Sequence, residues 1–351
     1  MHLVLSSYGA SLRRENGLFA IRTADTQQQI PPDRVRSITI GKGTLVSSDA
    51  VLLAVAHQVD LLFVDQVGRP GGRVWSVRYG SVSDIRRRQL DFLYSPAALE
   101  WVRELVLEKI NNQIALLLTL PADTEAPLRR RINRGVGALG DYQAKIRALT
   151  AADLSEAAPT LRGWEGAAAK RYFALLGSHL PPAYQFDKRS QHPATDRFNA
   201  LLNYGYGMLY GKVEGALIRA GLDPYVGVFH RDGYNRPALV YDVIERYRIW
   251  VDFVVVQLCR QEAFNDECFR REGEALLLDG LGKRILIQSV NDYLAEVILR
   301  GGLKRSRREH LQQEAHALAK FFLAQTELRL PSQTPAAARP TGSTGRLFEE
   351  E

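Results

Sequence analysis

The chain has 351 residues, 46% of them apolar, with 46 Lys and Arg against 39 Asp and Glu, a formal net charge of +7. That apolar share excludes a disordered chain and supports a substantial core spread over roughly two domains. The basic balance favours an acidic partner, nucleic acid first, and only two cysteines, Cys259 and Cys268, exclude a disulfide framework or a thiolate zinc cluster.

The first 80 or so residues read as β-rich. LVLSSYGASLRRENGLFAIRT holds two strand-like runs joined at Glu15-Asn16-Gly17, and Asn-Gly is the dipeptide a type I′ hairpin turn selects. VRSITIG alternates and is β-branched. SSDAVLLAVAHQ has helical spacing behind Ser47, Ser48 and Asp49 as possible caps. VDLLFVD fits a buried strand, and QVGRPGGRVWSV is a glycine-rich turn into another. A short apolar start without a signal-peptide core, and no apolar run of membrane-spanning length, predict a cytoplasmic protein.

After SVSDIRRRQL the periodicity changes. Ser95-Pro96 is a helix start, and ALEWVRELVLEKINNQIALLLTL carries apolar residues at helical spacing. LRRRINRGVGALGDYQAKIRALT reads as a helix with a glycine break, and the pattern stays helical to about 328, with Cys259 and Cys268 on one helix. The predicted class is α+β. A small β-rich domain (1–82) is followed by a linker (83–92), a larger all-α domain (93–328), and a Pro/Ser/Thr/Gly-rich tail (329–351) that cannot offset its ordering entropy.

No P-loop, nucleophile elbow or Cys-x-x-Cys occurs. What remains is acids and a histidine. His230 closes GLDPYVGVFH, and in ALVYDVIERYR Asp242 and Glu245 share a helical face at i, i+3. Two carboxylates near an imidazole suit a divalent cation, Mg²⁺ or Mn²⁺, with the imidazole favouring Mn²⁺. The same residues also read as structural: a hydrogen-bonded histidine, an Asp242 that caps or pairs with an arginine, a Glu245–Arg248 ion pair, and a Glu165 exposed beside Lys170.

DRFNALLNYGYGMLYGKVEGALIRAGLDPYVGVFHRDGYNRPALVYDVIERYR, residues 196–248, together with LEKINNQIALLL and GWEGAAAKRYF, resembles a known family: CRISPR-associated protein one, the spacer-acquisition integrase. The resemblance spans residues 1–328 and rests on Asn199, Tyr206, Gly221-Leu222-Asp223-Pro224, Gly227 with His230, and Asp242 with Glu245 and Arg248. Arg246 stands where Pro is common, Trp164 where Ile is usual, and Lys188 where Gly is frequent.

The resemblance implies a metal-dependent DNA endonuclease and integrase that inserts captured fragments into a CRISPR repeat array by 3′-hydroxyl transesterification. It also implies hydrolysis of branched DNA. Glu165, His230 and Glu245 would be the catalytic metal ligands, with Asp242 as supporting acid and Mg²⁺ or Mn²⁺ as cofactor. Double-stranded and branched DNA would be bound by basic residues, among them Arg189, Lys212, Arg231 and Arg248, with Tyr234 stacking on an unpaired base. Further basic candidates are Arg86–Arg88, Arg129–Arg131, Arg134 and Arg236, and further stacking candidates are Tyr204, Tyr206, Tyr210 and Tyr241. A homodimer through the β domain and a complex with CRISPR-associated protein two are implied partners. The alternatives are a related mobile-element transposase and a non-catalytic DNA-binding scaffold.

Overall fold

A computed structural model describes residues 1–5, 7–24, 26–35, 37–64, 70–74, 82–120, 126–191, 193–230 and 236–325. The tail from 329 and the sites expected at Arg231 and Tyr234 lie outside these residues.

The N-terminal part carries β1 (His2–Leu5), β2 (Ser11–Glu15), β3 (Leu18–Arg22), β4 (Gln27–Ile30), β5 (Ser37–Ile40), β6 (Leu45–Val46), α1 (Ser48–Ala56), β7 (Asp60–Val64) and β8 (Pro70–Val74). They form two four-stranded sheets, in the orders β4-β3-β2-β6 and β1-β5-β7-β8. The β2–β3 hairpin turns on Asn16 and Gly17 at φ 51° and 77°, the left-handed conformation that Asn-Gly tolerates. Ser47 caps α1 by accepting from the Ala50 amide. Parallel pairing of β1, β5 and β7 leaves Ile38 and Leu61 wholly buried, with Leu12, Phe19 and the small side chains of α1 in the same core.

The remainder is mostly helical: α2 (Val82–Phe92), α3 (Ala97–Thr119), α4 (Ala126–Ala148), α5 (Leu154–Gly177), α6 (Arg197–Arg219), α7 (Ala238–Ile244), α8 (Arg248–Arg260), α9 (Gly280–Ala295) and α10 (Arg307–Ala324). The fold class is the one expected, with one refinement: the helical part is not purely α. It includes two antiparallel ribbons, β9 (Phe269–Glu272) with β10 (Ala275–Leu278), and β11 (Val297–Arg300) with β12 (Leu303–Ser306). Each strand is four residues, too short for periodicity to separate it from helix. The signal that would have found the second ribbon is Gly301-Gly302, both at positive φ in its turn.

Three local expectations change. Residues 83–92 are not an open linker but most of α2. Ile85, Gln89 and Phe92 recur at helical spacing and are buried, and Phe92 packs edge-on against Trp101 and Phe321. The three consecutive arginines hide that stripe in the composition. The glycine break in 126–148 does not occur. Gly135 instead lets α5 approach α4, since a Cβ there would stand 2.2 Å from Leu175 Cδ1. Cys259 lies on α8 and Cys268 in a separate 3-10 turn, both buried and unlinked.

Polar contacts join the two parts. Arg219 of α6 pairs with Asp60 at the start of β7, and Arg73 of β8 donates to the Gly211 carbonyl at 3.2 Å. The larger core runs through α3, α5, α6 and α8, and these helices, with α7 and the turn before it, carry the side chains described next.

Candidate metal centre

Glu165 sits midway along α5, a helix started by Asp153, which accepts from the Glu156 amide. It is only 8% exposed. A buried carboxylate needs partners, and Lys109 of the neighbouring α3 supplies one, its Nζ 2.7 Å from Glu165 Oε1. The same ammonium is 2.6 Å from Oε2 of Glu245, which caps the C-terminus of α7. Glu245 Oε1 accepts from Arg248 Nε at 2.8 Å. Burial alone would raise the Glu245 pKa, but the Arg248 and Lys109 charges outweigh it and hold the group at about 2. Lys109 shows the mirror image: burial would lower its pKa, and Glu245 and Glu165 raise it above the ordinary lysine value.

His230 is positioned by Asp242, two residues before the end of α7 and wholly buried. Asp242 Oδ2 accepts from the Val228 and Phe229 amides at 2.6 and 3.2 Å, and Oδ1 from the His230 amide at 2.9 Å. His230 Nδ1 is 2.7 Å from the same Oδ1. With the proton on Nδ1, the Nε2 lone pair is left for a cation. Asp242 is therefore saturated by amides and imidazole, and its role is positioning. Burial would lower the His230 pKa, but the hydrogen bond and charge of Asp242, then Glu245 and Glu165, raise it.

Lys109, Glu165, His230, Glu245 and Arg248 line one cavity of about 520 Å³. The three expected ligands are thus brought to one chamber from α5, the turn before α7, and the end of α7. Among the described residues, no group of three or more His, Cys, Asp or Glu is drawn together tightly enough to hold an ion as it stands. The donor set nonetheless fits a divalent cation. It offers two buried carboxylates already facing a single positive centre, the Lys109 ammonium, and an imidazole whose Nδ1 is engaged by Asp242.

The surrounding wall is basic and aromatic. Arg189 donates to Asn203 Oδ1 at 2.8 Å and also to Asn199, and its guanidinium lies over Phe173 and Tyr206. Arg248 also lies over Tyr206, 4.6 Å from its ring centre. Tyr206 and Tyr172 both donate to the buried Asp252, at 2.5 and 2.8 Å. Burial pushes the Asp252 carboxyl up to about 6 despite those donors and the two arginines.

Other expected contacts fall elsewhere. Lys212 lines a second, larger crevice between the β part and the helices, where burial and the charges of Arg308 and Arg73 lower its pKa to about 8. Arg129–Arg131 and Arg134 are exposed along α4, Arg86 and Arg87 along α2, and Arg236 just before α7. Tyr210 and Tyr241 pack on each other, 5.5 Å between rings. The alternative Glu245–Arg248 ion pair is present, and Glu165 pairs with Lys109 at 2.7 Å. Arg246 points its charge at Glu108, 3.2 Å away. Sequence reasoning missed Lys109, Asp252 and Gln89, whose partners are all remote along the chain.

The family model described as CRISPR associated protein Cas1 matches residues 3–292. A relative from Archaeoglobus fulgidus, CRISPR-associated endonuclease Cas1 1, is 27% identical over 312 residues, covering 84% of this chain and 88% of that protein. Among solved structures, a casposase bound to integration product superposes with a TM-score of 0.78 at 21% identity, covering 93% of this chain and 91% of that one. A chain of a Cas6-RT-Cas1–Cas2 complex gives a TM-score of 0.76 at 23% identity. It covers 92% of this chain and 35% of that longer one. With a family model spanning most of its length, the chain belongs to the CRISPR-associated Cas1 family of endonucleases.

Proposed function

We propose that the chain is the metal-dependent endonuclease and integrase of CRISPR adaptation, joining the 3′-hydroxyl of a captured DNA fragment to a phosphodiester at the edge of a repeat. Glu165, His230 and Glu245 are the ligands, and Mg²⁺ or Mn²⁺ the cofactor. The observation that carries this reading is the pair of buried carboxylates converging on one cation in the chamber that His230 also lines. When bound, a divalent ion supplies Lewis acidity that lowers the pKa of the attacking hydroxyl and offsets charge on the phosphoryl oxygens.

The chain's own residues do the rest. Asp242 fixes the His230 tautomer and ring plane. Arg248 orients Glu245 through Oε1, leaving Oε2 for the ion. Arg189, held by Asn199 and Asn203, keeps a fixed positive charge on the chamber wall, where a phosphate is favoured. Lys188 and Lys170 line the same chamber and extend that charge along a DNA backbone.

The partners in this reading are double-stranded and branched DNA, a second copy of the chain and CRISPR-associated protein two. A homodimer through the β part is supported by its exposed apolar side chains, with Val4, Leu45 and Leu52 each more than half exposed. DNA and CRISPR-associated protein two are supported by the neighbours named as a casposase with its integration product and as a Cas1–Cas2 assembly. No helix of the described residues is long and apolar enough to cross a membrane, in keeping with a cytoplasmic site of action. The casposase neighbour also favours one second reading, a mobile-element transposase.

The test is strand transfer of a duplex with free 3′ ends into a plasmid carrying the repeat array, with Mn²⁺. Glu165→Ala, His230→Ala and Glu245→Ala should each abolish joining and leave DNA binding intact. Joining by all three variants refutes the ligand assignment. Joining without preference for the repeat favours the transposase.

A further inference from the structure

The two carboxylates assigned as ligands are bridged by a cation of the chain itself. Lys109 Nζ stands 2.7 Å from Glu165 Oε1 and 2.6 Å from Glu245 Oε2, on a side chain 15% exposed. Glu245 Oε1 is occupied by Arg248. The two anions are therefore matched by two built-in cations, and the quartet carries no net charge without metal. A divalent ion on the same two oxygens would sit about 2.1 Å from each. That position overlaps the ammonium, and two positive centres cannot share the notch.

There is a second place for the ammonium to go. Gln113 lies one helical turn beyond Lys109 on α3 and lines the same cavity. Its Oε1 is buried and, among the described residues, has no hydrogen-bond partner. A buried acceptor left unsatisfied is costly, so it marks a place where a donor is accommodated in another state. The lysine stem, with four rotatable bonds, gives the reach to move between the two positions.

We propose that Lys109 is a displaceable internal counter-ion, which holds Glu165 and Glu245 facing each other in the metal-free protein and moves to Gln113 Oε1 when a divalent cation enters. This rests on the metal reading above. Two consequences follow. The metal-free site stays organised, because its carboxylates never repel each other unscreened. Metal binding is weakened, because each ion must displace an ammonium, and that charge then remains in the chamber beside the phosphodiester.

Mn²⁺ titration of the full chain by calorimetry and by thermal melting tests this. Lys109→Met should bind Mn²⁺ at least tenfold more tightly than the parent and melt lower without metal. Gln113→Leu, which removes the second seat, should bind several-fold more weakly. Equal or weaker Mn²⁺ affinity in folded Lys109→Met overturns the proposal while parent binding keeps the metal reading. No Mn²⁺ uptake by parent or variant overturns both. Should Lys109→Met fail to fold, Gln113→Leu decides: parent-like Mn²⁺ affinity in that folded variant overturns the proposal.

Discussion

Asp242 holds His230 twice over, accepting from its backbone amide at 2.9 Å and standing 2.7 Å from its ring Nδ1. The other oxygen ties down the two preceding amides, so one carboxylate sets both the loop and the imidazole plane. In Asp242→Asn one of the two oxygens becomes an NH₂ that faces donors. The expected outcome is a loss of Mn²⁺ affinity of about 10–100-fold and of about 1–3 kcal/mol in stability. Mn²⁺ titration and chemical denaturation check this. Parent-like affinity in the variant would show that the imidazole needs no such anchor.

The same pair sets a pH dependence. An imidazolium cannot ligate a cation, and the neighbouring carboxylates raise the His230 pKa above its ordinary value. Mn²⁺ affinity should therefore fall with pH from a higher starting point than a free histidine would give. His230→Gln should lose affinity at every pH and flatten this slope. A parent profile that stays flat through neutral pH would count against His230 as a ligand.

Much of the scaffold was legible because its signals are local. Asn16-Gly17, the Ser47 cap and the apolar run at 60–64 each declare themselves within a few residues. Glu165, His230 and Glu245 line one chamber, but the contacts that hold them were not readable. Lys109 serves carboxylates on two other elements, Gln89 serves a loop 134 residues away, and Asp252 gathers hydroxyls from α5 and α6. A side chain whose partners come from distant turns leaves no periodic trace. The 83–92 helix was masked differently, by surface arginines that dominate its composition while three buried positions decide its packing.

Gln89 is the anchor between that helix and the loop leading to His230. Its amide donates to the carbonyls of Asp223 and Val226 at 2.7 and 2.8 Å, and accepts from the Asp223 amide at 3.0 Å. Gln89→Leu keeps the volume and strands three backbone groups. It should cost about 1–3 kcal/mol and raise amide exchange selectively at 223–229, measured by hydrogen exchange. Uniform exchange across the chain would mean that Gln89 serves global packing instead.

Asp252 provides a stability test with a definite sign. Burial raises its folded-state pKa from 3.8 to about 6, so the folded state favours the protonated acid. The associated stability is full below the unfolded value and is lost as pH rises through about 6. Two units correspond to roughly 3 kcal/mol. Asp252→Asn removes this titration, so the variant should gain on the parent by an amount of that order between pH 4 and pH 7. Denaturation at both pH values gives the double difference, and a difference of zero would place the ionised carboxylate at no cost beside Arg248 and Arg189.

Gly135 lets α4 pack closely against α5 at Leu175. A Cβ there would meet Leu175 Cδ1 at 2.2 Å, Cδ2 at 3.0 Å and Cγ at 3.1 Å, so the whole branched end of the buried leucine would have to shift. Helix propensity favours Ala over Gly by about 1 kcal/mol, whereas overpacking a core costs about 1–3 kcal/mol. At this contact distance the steric cost wins, and Gly135→Ala should lower stability. Leu175→Ala alone leaves a cavity and also destabilises. Combined with Gly135→Ala, the new methyl group occupies part of that space, so the double variant should be more stable than the sum of the single losses predicts, by about 1 kcal/mol or more. Strict additivity in denaturation midpoints would show that α4 and α5 separate freely, and that the glycine does not fix their distance.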